Sequence, residues 1–157
     1  MIPRELYSQI HSLMPILCVD LAVVADGKVL LVRRKVEPLK GELYLPGGRL
    51  FRWETVDEAV FRIARNEIGL KIFSPVFVSY EQMRFGRDPF NHGKGTHTVS
   101  LTFACEAYSH LVKLDSDHSS YVWFDPSEIE PGNFFHNLPR LANSAMEAVM
   151  KKERVEL

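Results

Sequence analysis

A glycine pair, a glutamate late in a helical pattern, a histidine near residue 118 and well-placed arginines are the residues of this chain fitted for chemistry. Gly47 and Gly48 carry no side chain, so a ligand can approach the backbone there closely. Glu67 falls near the C-terminal end of a helix predicted to begin at Thr55, where the helix dipole disfavours negative charge and a cation would compensate it. Arg34 closes a strand and Arg49 follows the glycines directly; each offers a planar fork of donors that suits phosphate oxygens. A neutral imidazole, with a pKa near ~6.5, can take a proton from water, which makes His118 a candidate general base. Asp20 interrupts the apolar run Cys18-Val19-Asp20-Leu21-Ala22, where an unpaired charge is costly, so it needs a partner. Each residue also has a plainer reading. The glycines can form a turn, Glu67 a solvated charge, His118 a surface side chain, Asp20 a structural hydrogen bond, and Arg62 a salt bridge to Glu54 or Glu58.

The elements that must position these residues are readable from periodicity and punctuation. Pro3 opens a segment with Leu6, Ile10 and Leu13 on one face, which predicts a short N-terminal helix. Ile16 to Ala25 reads as a buried strand, Asp26-Gly27 as a tight turn, and Lys28 to Arg34 as the returning strand. A loop through Pro38 and Gly41 leads to a short strand from Leu43 to Pro46. Thr55-Val56-Asp57-Glu58 is a capping box; Val56, Ala59, Val60, Ile63 and Ala64 form the helix's apolar stripe, and Gly69 ends it. Pro75 to Phe85 and Thr96 to Tyr108 read as long strands joined by a polar loop, 86–95, able to cover a site. Tyr121 to Phe124 is another strand, and Asn137-Leu138-Pro139 opens a final helix with Leu138, Leu141, Ala145 and Val149 along one face. This mixed order favours an α+β or α/β sandwich over a doubly wound parallel sheet.

At 157 residues and 46% hydrophobic content, the chain has the length for one well-packed domain, expected to span residues 1–157. A net charge of -1 argues against a sequence-wide grip on nucleic acid. Cys18 and Cys105 sit in apolar runs and read as small buried hydrophobes. Charges and a His break the N-terminal stretch, and no segment reaches membrane-spanning length, so a soluble cytoplasmic protein is expected with no membrane partner. His11, His92, His110 and His136 show no partner in the sequence.

Gly48, Glu54, Arg62, Glu67 and Gly69 also fall at the intervals of a known pattern: Gly, five residues, Glu, seven residues, then Arg-Glu-apolar-any-Glu-Glu-any-Gly-apolar. On these residues the chain resembles the Nudix hydrolases, which implies an α/β/α sandwich around a central mixed sheet. Two clustered glutamates are replaced, by Ile63 and Asn66. That loss resembles the GDP-mannose mannosyl hydrolase branch, which attacks sugar carbon rather than phosphorus. The resemblance implies Mg²⁺, with Mn²⁺ as the alternative ion, held by the Gly47 carbonyl, Glu67 and Asp117, the last standing where the branch has Gln. His118, five residues before Trp123, matches the branch's histidine and is implied as base; Arg34 and Arg49 as supports of the leaving diphosphate; Asp20, Arg34, Arg49 and Arg62 as substrate contacts. Thr98 and Met83 depart from the branch's Tyr and His in strands expected to border the site, and His97 aligns with a branch His. The implied substrate is a GDP-sugar such as GDP-mannose. A homodimer is implied too, with the N-terminal helix, residues 1–14, at its interface. Two rivals remain open: attack on the diphosphate with Glu54 or Glu58 replacing the lost ligands, and a catalytically silent nucleotide-sugar binder.

Overall fold

The computed structural model describes residues 1–128 and 137–155. Among these, helix α1 spans Arg4–Leu13, followed by strands β1 (Ile16–Ala25), β2 (Lys28–Arg34), β3 (Leu43–Tyr44) and β4 (Gly47–Arg49). Helix α2 (Val56–Glu67) precedes β5 (Ile72–Phe85), β6 (Thr96–Ala107) and β7 (His118–Phe124); a short 3₁₀ turn and helix α3 (Leu138–Val155) follow. The hairpin turn places Asp26 and Gly27 at φ 48 and 73°, the left-handed pair that a two-residue connection between twisted strands requires.

Seven described strands form one mixed sheet in the order β3-β2-β1-β6-β5, with β4 also on β1 and β7 also on β2. β1 runs parallel to β6 from Ile16↔Thr98 to Val24↔Glu106, and antiparallel to β2 and β4. Because side chains alternate across a strand, each central strand feeds two cores. Val19, Leu21, Val23, Leu30 and Val32 meet α2 on one face, whereas Ala22, Val24, Val29 and Leu31 meet α3 on the other. Ala59, Val60, Ile63 and Ala64 bury the expected stripe of α2, and Leu138, Leu141, Ala145 and Val149 that of α3. The fold is thus the expected α+β sandwich, helix on sheet on helix. No described helix is long and apolar enough to cross a membrane.

Three local expectations change. Most of the expected apolar face of α1 points outward: Leu6 is 49% and Leu13 77% exposed and Ile10 only half-buried, while His11 is buried. Arg4, Tyr7 and His11, spaced i, i+3, i+7, dock instead on the 86–95 loop. Arg4 donates to the Pro89 carbonyl, the rings of Tyr7 and His11 meet Phe90 edge-on, and His11 Nδ1 lies 2.8 Å from His92 Nε2. Asp88 holds that loop by accepting the amides of Phe90, His92 and Gly93. Second, the glycine pair forms strand β4 rather than a turn. Third, β7 begins at His118 rather than Tyr121, so that histidine lies on a strand end. His110 also has a partner, Asp26 at 3.1 Å; His136 lies outside the described residues.

Burial first, and the neighbouring His92 second, lower the His11 pKa below its usual 6.5, with Asp88 opposing them. Undocked α1 therefore binds a proton more readily than docked α1, so docking weakens as pH falls through that usual value. Hydrogen exchange should show α1 amides losing protection relative to β1 on acidification below neutrality, and His11→Gln should blunt the effect. Equal protection of α1 on both sides of the transition would contradict this packing.

Candidate active site

A cleft of about 340 Å³ opens beside β1, β4 and the C-terminal end of α2, walled by α1, the 86–95 loop and the segment before β7. Asp20, Arg34, Gly47, Arg49, Glu67, Asp117 and His118 all line it, as do Thr98 and Met83, which face each other across β5 and β6. Arg62 does not.

The need for two glycines follows from what presses against them. A Cβ on Gly47 would stand 2.0 Å from Asp20 Oδ1 and 2.8 Å from the Val19 carbonyl; one on Gly48 would stand 2.9 Å from Glu67 Oε1. The Gly47 amide donates to Glu67 Oε2 at 3.1 Å. Two carboxylates therefore sit where side chains of β4 would otherwise be. Both pay for burial in protonation: Glu67 is pushed up to about 8 by desolvation and then by Asp115, against the Gly47 amide. Asp20 is pushed up to about 7 by desolvation, opposed by the Ser100 hydroxyl and by Arg34.

The residue that sequence reasoning missed is Asp115. Its Oδ1 lies 2.7 Å from His118 Nδ1 and accepts the Asp117 amide at 3.0 Å, while its own amide donates to the Glu67 carbonyl at 3.0 Å. Ligand atoms of Glu67, Asp115 and His118 all lie within 4.8 Å of one another. Asp117 lines the cleft outside that group, its carbonyl accepting the Lys35 amide. The available signal was the Asp three residues before His118, a spacing that lets the two side chains meet.

The carboxylates gathered at this end of the cleft suit a hard divalent cation, which would offset the burial and, after it, the Asp115 charge that together raise Glu67. Of α2, only Glu67 lines the cleft. Ile63 is fully buried in the core beneath Gly48, and Asn66 is exposed.

Arg62 takes its structural alternative. It grips Glu54 through two bonds of 2.5 and 2.9 Å, donates to the Arg49 carbonyl at 3.0 Å, and stacks 3.7 Å over Phe51. Glu54 also accepts the Phe51 amide, and Glu58 closes the capping box on the Thr55 amide; neither lines the cleft. Arg49 lies over the rings of Tyr7 and Phe51, and Arg34 Nε donates to the Pro38 carbonyl. Burial pushes both thiols up to about 12, so Cys105 in the core and Cys18 at the cleft are poor nucleophiles. His97 pairs with Gln82, away from the cleft.

Residues 15–144 match the NUDIX domain model. An ADP-ribose pyrophosphatase of Methanocaldococcus jannaschii is 34% identical over 143 residues, covering 88% of this chain and 73% of that one. The low-salt glycan biosynthesis protein Agl8 of Haloferax volcanii is 27% identical over 125 residues, 80% of each. The crystal structure of a MutT NUDIX hydrolase from Burkholderia pseudomallei superposes with a TM-score of 0.68 at 25% identity, covering 83% of this chain and 98% of that one.

Two substitutions separate the cleft from its frame. Gly48→Ala should lower divalent-ion affinity about tenfold or more by displacing the Glu67 carboxylate, a loss of roughly 1.4 kcal/mol in binding. Arg62→Ala should instead cost about 1.5–3 kcal/mol of folding stability, the range for bonds to charged groups, with ion affinity within about twofold. Calorimetric titration and urea unfolding of both variants check the contrast; the opposite pattern would reverse these assignments.

Proposed function

The chain belongs to the Nudix family, and from that premise we propose that it hydrolyses a GDP-sugar of the GDP-mannose type at the anomeric carbon, releasing GDP and free sugar. The observation that carries this reading is the stripped face of α2. Attack at phosphorus by gathered metal ions calls on several helix carboxylates, and here one reaches the cleft, beside a buried imidazole. The glycan-biosynthesis name of the Haloferax relative accords with a sugar substrate.

In this reading Gly47, Glu67 and Asp117 hold a single Mg²⁺, with Mn²⁺ as substitute. The ion's contribution is to neutralise charge on the diphosphate. Arg34 and Arg49 flank that group and stabilise the charge it gains on leaving. His118 accepts a proton as the water oxygen bonds to the anomeric carbon; the bond from that carbon to the phosphate oxygen breaks, its electron pair leaving with GDP. Asp20 contacts the nucleotide or sugar. One domain carries the whole site, and the outward Leu6, Leu13 and Met14 of the α1 region serve a homodimer contact.

The 34% identity to an ADP-ribose pyrophosphatase favours a second reading, attack on the diphosphate of a nucleoside diphosphate derivative. Turnover of nucleotide sugars with Mg²⁺ in heavy-oxygen water separates the two. The proposal expects GDP and labelled free sugar; label in a nucleoside monophosphate or sugar phosphate would establish the second reading, and tight binding without turnover a silent binder. His118→Gln should lower kcat by about 10²–10⁴-fold, the usual worth of a general base.

A further inference from the structure

We propose that Asp115 is a positioning residue for this reaction: it fixes His118 in the tautomer with its proton on Nδ1 and couples the imidazole to the end of α2 that presents Glu67. The inference rests on the reading of His118 as the base. Carboxylate oxygens only accept hydrogen bonds, so the 2.7 Å contact between Asp115 Oδ1 and His118 Nδ1 requires the proton on that ring nitrogen. The lone pair is then on Nε2, which becomes the atom that takes the water proton.

Asp115 is itself held on two sides. Its Oδ1 also accepts the Asp117 amide at 3.0 Å, closing a local turn, and its amide donates to the Glu67 carbonyl at 3.0 Å. Two residues further back, the Lys113 amide donates to the Ile68 carbonyl at 2.9 Å, and Gly69, at φ 63°, leaves room for Lys113. The main chain of Asp115 is thus anchored on the residue whose side chain faces the glycines, and its side chain on the base. When the imidazole becomes imidazolium, its Nδ1–H already points at a carboxylate, so no group must move to stabilise the new charge. Asp115, His118 and Glu67 are close enough to hold one ion between them, but the Asp115–His118 bond already occupies one nitrogen of the ring.

The test reads the ring directly. Two-bond ¹H–¹⁵N correlation spectra of the wild-type protein, with and without Mg²⁺, should show His118 protonated on Nδ1 and free on Nε2; the reverse pattern would overturn the proposal without any variant. Asp115→Asn, which offers an amide group to the ring, should mix the tautomers and lower kcat by up to about 10⁴-fold, the loss seen when the orienting carboxylate of a hydrolytic triad is replaced. KM and Mg²⁺ affinity should stay within about twofold, and Asp115→Glu should restore part of kcat. A wild-type ring pattern in Asp115→Asn, or a fall in Mg²⁺ affinity that saturating ion repairs, would overturn it, the latter by making Asp115 a metal ligand. Heavy oxygen appearing in the phosphate would refute the sugar-carbon reading, and the tautomer result would stand apart from it.

Discussion

The architecture of the cleft depends on a carboxylate buried against bare backbone where α2 runs into β4. Glu67 lies over Gly47 and Gly48, one oxygen on an amide and the other in space that a Cβ would fill. The same short strand is gripped at its other end, where Arg62 donates to the Arg49 carbonyl and locks onto Glu54. Helix α2 thus brackets β4 between an acidic and a basic side chain, with Ile63 filling the core between them. Ile63, at the position where the Nudix pattern carries a glutamate, lends its side chain to the core and not to the cleft.

The C-terminal end of α2 also organises the other half of the site. The Glu67 and Ile68 carbonyls, unpaired within a helix's last turn, accept the amides of Asp115 and Lys113. That pairing sets where β7 starts and delivers His118 to the cleft on a strand end. Opposite it, α1 and the 86–95 loop hold each other through Arg4, Tyr7, His11, Phe90 and His92, and Arg49 of β4 lies over the Tyr7 ring. The inner site is held by burial, whereas the wall is held by contacts between α1 and the loop, among them the hydrogen bond between His11 and His92.

Much of this was legible because it is local. The capping box at Thr55, the Asp26-Gly27 hairpin and the stripes of α2 and α3 each encode themselves within a turn or two. The resemblance to the Nudix branch pointed to Asp20, Arg34, Gly47, Arg49, Glu67 and His118, and all of them line the cleft. What the sequence hid depends on distant partners. The inward face of α1 is chosen by Phe90 and His92 some eighty residues away, against the apparent stripe of Leu6, Ile10 and Leu13. Asp115 gains its importance from Glu67, and Arg62 loses its place in the cleft to Glu54 and Phe51. Where β7 starts is likewise a matter of pairing, since Arg34 of β2 faces His118 across a register shift.

In the proposed function one divalent ion sits against Glu67 and the glycine strand, and no second ion gathers on α2. A crystal structure with Mn²⁺ and a non-hydrolysable GDP-sugar, phased for anomalous scattering, tests this most directly. A single anomalous peak about 2.1 Å from a Glu67 carboxylate oxygen is expected. Two or more peaks, or one held by Glu54 or Glu58 away from the glycines, would contradict it.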